Sequence, residues 1–304
     1  MLSIVIPVYN EEEIVVEAAT EIKKVLTDEH IAFEIVFVDD GSRDRSWQLI
    51  CGEHKKDGRI KGVKFTRNFG KDAAIFAGLK QCKGDCTAVM DCDLQHPPEK
   101  LPEMYRLWQQ GFEVIEGVKA CRGREGIFHR AFANFFYNIM SKITKMDMRN
   151  ASDFKLIDRR VVNTLIKMPE HKMFFRTLSS WVGYKSTSVT YDVGERIGGR
   201  SKWSTKQLFK YAMTSVSSFT THPMQMVTWC GALVFVISII VGIWSLVDKL
   251  VGRAIEGMTT VIFLLLFIGS IIMLTLGIIG HYIARIYEEV QARPRYIIDE
   301  FLDE

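Results

Sequence analysis

Asp91 and Asp93 stand two residues apart at the end of a short apolar run, Ala88-Val89-Met90, and Gln95-His96-Pro97-Pro98-Glu99 follows at once. Carboxylates at i and i+2 on a strand that ends in a turn point toward a common centre. Hard oxygen ligands of this kind suit Mg²⁺ or Mn²⁺, with a diphosphate completing the shell. Three other apolar runs end in polar clusters: Pro7-Val8-Tyr9-Asn10-Glu11, Asp39-Asp40-Gly41-Ser42, and Thr66-Arg67-Asn68-Phe69-Gly70-Lys71. Turn and cap chemistry accounts for Asp40 and Ser42 taken alone, but not for the whole set. The chain has no GxGxxG and no GxxxxGK[ST], so neither a dinucleotide fingerprint nor a P-loop explains these clusters.

The elements that must position them alternate. Strand patterns at Leu2 to Val8, Phe33 to Val38, Ile60 to Phe65, Thr87 to Met90 and Glu113 to Val118 are interleaved with helical patterns near 11–28, 43–56, 71–81 and 98–110. Such alternation predicts βαβ units in an α/β fold with a mostly parallel sheet, whose ligands bind beyond the carboxyl ends of the strands. Asn10 with Glu13 reads as a capping box, and Ser42 as a cap for the next helix. Beyond residue 120 the pattern turns helical, over Glu125 to Thr144, Asp158 to Lys167 and Lys172 to Trp181. A strand at Lys185 to Val193 and a Gly-rich polar stretch, Gly194 to Lys202, follow.

The 304 residues include 39 Lys plus Arg against 36 Asp plus Glu, a formal charge of +3 that does not suit a dedicated nucleic-acid binder. Six cysteines, at 51, 82, 86, 92, 121 and 230, form no CxxC pair, so neither a zinc knuckle nor a disulfide framework is expected. Met224 to Val247 is 24 residues without a charge, and Gly257 to Ala284 is 28 without Asp, Glu, Lys or Arg. As helices these would reach about 36 and 42 Å, enough to cross a hydrocarbon core of about 30 Å. Lys202, Lys206 and Lys210 on one side and Arg285, Arg293 and Arg295 on the other place both ends in the cytoplasm. Met1 to Glu13 meets acids within about ten positions and has no basic n-region, which does not read as a secretory signal. Ser204 to Thr221 gathers Leu208, Phe209, Ala212, Met213 and Val216 on one face, as a helix in the headgroup layer would. The expected organisation is therefore residues 1–203 as a cytosolic domain, 204–222 as an interfacial helix, and 223–304 as two spans with a cytosolic tail.

The stretches PVYNEE, VDDGSRD, RNFGKDAA, DCDLQHPPE and SDFKLIDR resemble family 2 glycosyltransferases of the GT-A fold, and more narrowly the polyprenyl-phosphate glycosyltransferases. This resemblance implies inverting transfer of one sugar from a nucleotide-diphosphate donor to a polyprenyl phosphate such as undecaprenyl phosphate, at the cytosolic face of a bacterial inner membrane. It places Pro7, Tyr9, Glu11 and Asp40 around the base and ribose, and Asp91, Asp93 and Gln95 at the divalent ion and diphosphate. Asp153 aligns with the acid proposed as catalytic base. Lys119 and Arg122 fall where the acceptor phosphate is held, and Arg200, Ser201 and Lys202 in a loop that closes over the site. Homo-oligomers, and a flippase and glycosyltransferase acting downstream, are further implications of the same likeness. Cys92 and Cys121 stand where Ala and Ser are more familiar, which makes their thiols candidate modification sites.

No motif fixes the donor. UDP-glucose is the expectation, with GDP-mannose, UDP-GlcNAc and UDP-galactose as alternatives, because they differ by single contacts that no motif reports. A reading from another class is a non-catalytic nucleotide-sugar-binding partner of a flippase or transferase. Nothing reads QxxRW, which favours single-sugar transfer over polymerisation. Outside the resemblance, Asp153 could cap a helix, Lys71 could reach a phosphate from its helix start or simply stand exposed there, and His96 could shape the turn after Asp93 rather than touch a metal.

Overall fold

The computed structural model describes residues 1–119, 152–168, 174–192 and 258–303, together with nine single positions between 229 and 251. Met1–Lys202 with Arg293–Glu304 forms one compact unit, and Trp203–Ala292 a second.

The first unit is built on an eight-stranded sheet. Its strands are β1 (Leu2–Val8), β2 (Phe33–Asp39), β3 (Ile60–Phe65), β4 (Cys86–Val89), β5 (Val114–Lys119), β6 (Lys155–Asp158), β7 (Ser186–Tyr191) and β8 (Ile298–Leu302), in the order β7-β5-β6-β4-β1-β2-β3-β8. Only β6 and β8 run antiparallel to their neighbours. The α/β architecture with a mostly parallel sheet is thus as expected. β1 and β2 are mostly apolar and buried along almost their whole length because both their faces are covered. The helices α1 (Val15–Asp28), α2 (Ser46–Lys56), α3 (Lys71–Gln81) and α4 (Leu101–Gln109) follow the first four strands, and α5 (Arg159–Lys167) and α6 (Phe175–Trp181) follow β6. Ala18, Ala19, Ile22 and Leu26 of α1 join Ile4, Ile6, Ile35 and Phe37 in the core.

Two local expectations are corrected. Asn10 is not a helix cap: it takes φ of 55°, accepts from Arg43 N through Oδ1 and donates its own N–H to Ser42 Oγ. Ser42 is likewise spent on this bond, and α2 starts only at Ser46. Both side chains join the loops after β1 and β2, a cross-loop use that cap patterns within one segment do not distinguish. Nor does Asp153 cap a helix. It precedes β6, a strand that the apolar pattern did not announce because Lys155 and Asp158 leave it only two apolar residues, and Asp158 caps α5 by accepting from Arg160 N.

In the second unit, α7 (Met258–Val290) runs for 33 residues, and its segment Phe267–Val290 is long and apolar enough to cross a membrane. The helix continues six residues past Ala284 because Arg285 to Val290 carries no breaker. Of the expected first span, the singly described Trp229, Leu233, Val236, Ile239 and Ile243 are helical and exposed. The expected interfacial helix and the helix at 125–144 lie outside the described residues.

Candidate active site

The polar clusters meet at one edge of the first unit. Pro7, Tyr9 and Glu11 leave the end of β1, Asp40 the end of β2, Asp91, Asp93 and Gln95 the end of β4, and Lys119 the end of β5. Because β6 runs antiparallel to β4, its beginning lies at the same edge. Val89 pairs with Lys155, so Asp91, two residues after Val89, and Asp153, two before Lys155, are brought side by side. Arg122, Arg200, Ser201 and Lys202 lie outside the described residues.

Two like charges so placed repel unless a cation stands between them. Lys71 Nζ sits 2.6 Å from Asp91 Oδ1 and 2.9 Å from Asp153 Oδ2. Arg176 of α6 grips Asp153 with Nε on Oδ1 at 3.1 Å and Nη2 on Oδ2 at 2.9 Å. Burial opposes ionisation of Asp153, but Lys71 and then Arg176 outweigh it and hold the carboxyl well below the ordinary range. Burial likewise opposes ionisation of Asp91, and Lys71 overcomes it. The beginning of α6 is itself fixed, since Phe175 N donates to Asp72 Oδ1 at 2.9 Å.

A buried lysine supports this arrangement from below. Lys155, wholly inaccessible, donates from Nζ to Arg176 O at 3.1 Å and to Ser180 Oγ at 2.9 Å, and pairs with Glu116 at 2.9 Å. It thereby ties β5 and α6 to the strand that follows Asp153. Gly117 permits the close approach that this needs, for a Cβ there would come within 2.3 Å of the Phe154 ring.

Asp40 is buried, and its two oxygens accept the Phe69 and Gly70 amides at 2.6 and 2.9 Å. Burial pushes its carboxyl up to about 6. Its partner loop leads directly into Lys71, so Asp40 sets where that lysine begins. Tyr9, by contrast, is exposed. His96 shapes the turn: its Nδ1 accepts from Asp91 N at 3.1 Å and its ring stacks on Phe154. Gln95 N donates to Asp93 Oδ1 at 3.2 Å, closing the same turn. Cys92 is buried, and burial pushes its thiol up, so it does not present the thiolate that modification requires. Cys121 lies outside the described residues.

The sequence did not single out Arg176, Asp72 or Lys155. Each acts across elements, and no spacing within one segment carries such a signal.

A mostly parallel sheet that carries ionised Asp91 and Asp153 at its carboxyl edge, held by Lys71 and Arg176, is the architecture of an α/β enzyme. The chain belongs to glycosyl transferase family 2, whose model matches residues 3–169, and a model of the GtrB C-terminal hairpin matches residues 222–286. It is therefore a glycosyltransferase. The bactoprenol glucosyl transferase of Shigella phage SfII is 36% identical over 299 residues, covering 98% of this chain and 97% of that one. YkcC of Bacillus subtilis, described as an uncharacterized glycosyltransferase, is 37% identical over 300 residues, covering 98% and 93%. The uncharacterized glycosyltransferase sll0501 of Synechocystis is 33% identical over 301 residues, covering 98% and 95%.

Proposed function

We propose that this chain transfers a single glucose from UDP-glucose to undecaprenyl phosphate, with inversion, at the cytosolic face of the bacterial inner membrane. The observation that carries the reading is the Asp91–Lys71–Asp153–Arg176 array, set in a chain that matches bactoprenol glucosyl transferases along nearly its whole length.

Asp91, Asp93 and Gln95 would hold a Mg²⁺ or Mn²⁺ ion. Among the described residues no group of three or more His, Cys, Asp or Glu is arranged for a metal. The donor set of two carboxylates and an amide nevertheless fits an ion whose shell a diphosphate completes. The buried Asp91 Oδ1 already faces one cation, the Lys71 ammonium at 2.6 Å, so its setting is one that favours positive charge. Such an ion would neutralise the charge that builds on the leaving diphosphate.

The chain's own residues handle the acceptor. A phosphate monoester is largely ionised near neutral pH, its second pKa being about 6, so it needs little deprotonation. Asp153, held ionised between Lys71 and Arg176, accordingly orients the acceptor or stabilises positive charge on the sugar rather than removing a proton. Lys119 and Arg122 hold the acceptor phosphate, Tyr9 with Pro7, Glu11 and Asp40 forms the nucleotide side, and the loop with Arg200, Ser201 and Lys202 closes over it.

A two-span topology with both termini cytosolic draws support from β8. The chain after residue 292 rejoins the unit that contains residues 1–202 and pairs with β3. Both ends thus share one side of any membrane crossed between them, which requires an even number of crossings.

The test is to incubate detergent-solubilised protein with undecaprenyl phosphate, Mg²⁺ or Mn²⁺ and a panel of nucleotide sugars, then weigh the lipid product. A glucosyl lipid formed from UDP-glucose alone is the expected result. Product from GDP-mannose alone overturns the donor, and no lipid product from any donor favours the non-catalytic binding partner.

A further inference from the structure

Lys71 breaks a local rule. It is the first residue of α3, where the helix dipole favours an acid, and Asp72 beside it obeys that preference. Violations of local preference gather where function requires them. The turn that delivers Lys71 is also closely specified: Asp40 holds the two preceding amides, and Gly70 takes φ of 103°, which a side chain would disfavour.

The two carboxylates that Lys71 touches are not equally dependent on it. Asp153 has a second cation in the two-point grip of Arg176. For Asp91 the neighbouring cation is Lys71, 2.6 Å from an oxygen that is buried. A divalent ion that takes Asp91 must therefore share that oxygen with an ammonium or displace it.

We propose that Lys71 is a positioning residue that competes with the divalent ion for Asp91, so that it sets how tightly the site holds metal. This rests on the metal-assisted reading above. An ammonium and a divalent ion about 4 Å apart repel by about 2 kcal/mol even at the dielectric of bulk water, enough to change affinity by at least about tenfold.

The experiment is an Mn²⁺ titration of the full chain in detergent, without nucleotide, read by electron paramagnetic resonance of the free ion. Lys71→Met should bind Mn²⁺ about tenfold more tightly than the parent, and Lys71→Arg should stay within about threefold of it. A folded Lys71→Met with unchanged or weaker affinity overturns the proposal. A second measurement needs no variant: Mn²⁺ should raise acylation of Lys71 by an amine-reactive reagent relative to Lys64, as read by mass spectrometry. Labelling that ignores Mn²⁺ overturns the proposal even where Lys71→Met does not fold. Sugar transfer is not an input to either readout. Loss of transfer with the Mn²⁺ shift intact defeats the functional reading alone, whereas Mn²⁺ that binds neither protein defeats the proposal and the metal part of that reading together.

Discussion

His96 lies flat against Phe154, with ring centroids 5.0 Å apart and planes 7° from parallel. The same imidazole accepts the Asp91 amide, and Phe154 adjoins Asp153 in sequence. One ring therefore couples the turn that bears Asp91 to the segment that bears Asp153. Replacing His96 by Phe keeps the stack but leaves the Asp91 N–H without its acceptor, which should cost about 1–3 kcal/mol. Replacing it by Ala removes both contacts and should cost about 3–5 kcal/mol. Equal melting temperatures for the two variants would show that the Phe154 contact adds nothing to stability.

Asp153 is ionised well below its ordinary range, so it should contribute no acidic limb to turnover above about pH 4. Asp153→Asn should lower turnover by a factor that does not vary between pH 5.5 and 8.5. An acidic limb that vanishes in the variant would restore the role of a simple base. The linkage has a defined sign. A carboxyl lowered by folding adds stability that is fully present above its unfolded value of about 3.8 and fades as pH falls below it.

Asp40 carries the opposite sign. Burial raises its carboxyl to about 6, so the folded protein binds the proton more readily than the unfolded chain between about pH 4 and 6. Its contribution to stability therefore declines as pH rises through that window and levels off above it. Asp40→Asn abolishes the titration, and the melting temperature of the variant minus that of the parent should rise from pH 5 to pH 7. A difference that stays constant across this range would mean that Asp40 does not titrate there. The Asn side chain can also satisfy only one of the Phe69 and Gly70 amides, so the Lys71 turn should loosen and turnover should fall.

The C-terminal strand closes what would otherwise be an open sheet edge at β3. Asp303, just beyond it, pairs with the buried Lys61 at 2.9 Å, which also meets Glu34 at 3.0 Å. Asp303→Ala should destabilise the protein by about 1–3 kcal/mol, the loss of a hydrogen bond to a charged group. Deleting residues 297–304 should lower the melting temperature further and promote association through the exposed β3 edge, visible by light scattering. A truncated chain that melts and scatters like the parent would show that β8 adds nothing to the sheet.

Legibility was uneven for physical reasons that particular residues illustrate. β1 to β5 were readable because buried parallel strands are continuous apolar runs set off by turn residues, and α3 matched its expected limits, Lys71 to Gln81, because Gly70 marks its start. β6 has only Leu156 and Ile157 between Lys155 and Asp158, and β8 carries Asp299 and Glu300 on a sheet edge, so neither has a hydrophobic pattern to read. Apolar spacing also misplaced the first turns of α1 and α2, where Asn10 and Ser42 bond to each other's loops rather than to a helix start.

The residue order alone determined the alternation of strands and helices, the gathering of acids after the strands, the apolar segments near the C-terminus and the family motifs, because each is written in contiguous residues. Only the tertiary structure decided that Lys71 stands between Asp91 and Asp153, that Arg176 and Lys155 hold the latter in place, and that the last strand returns to β3. Those partners are far apart in the chain, and their meeting depends on strand order and on the reversed direction of β6 and β8, which local periodicity does not encode.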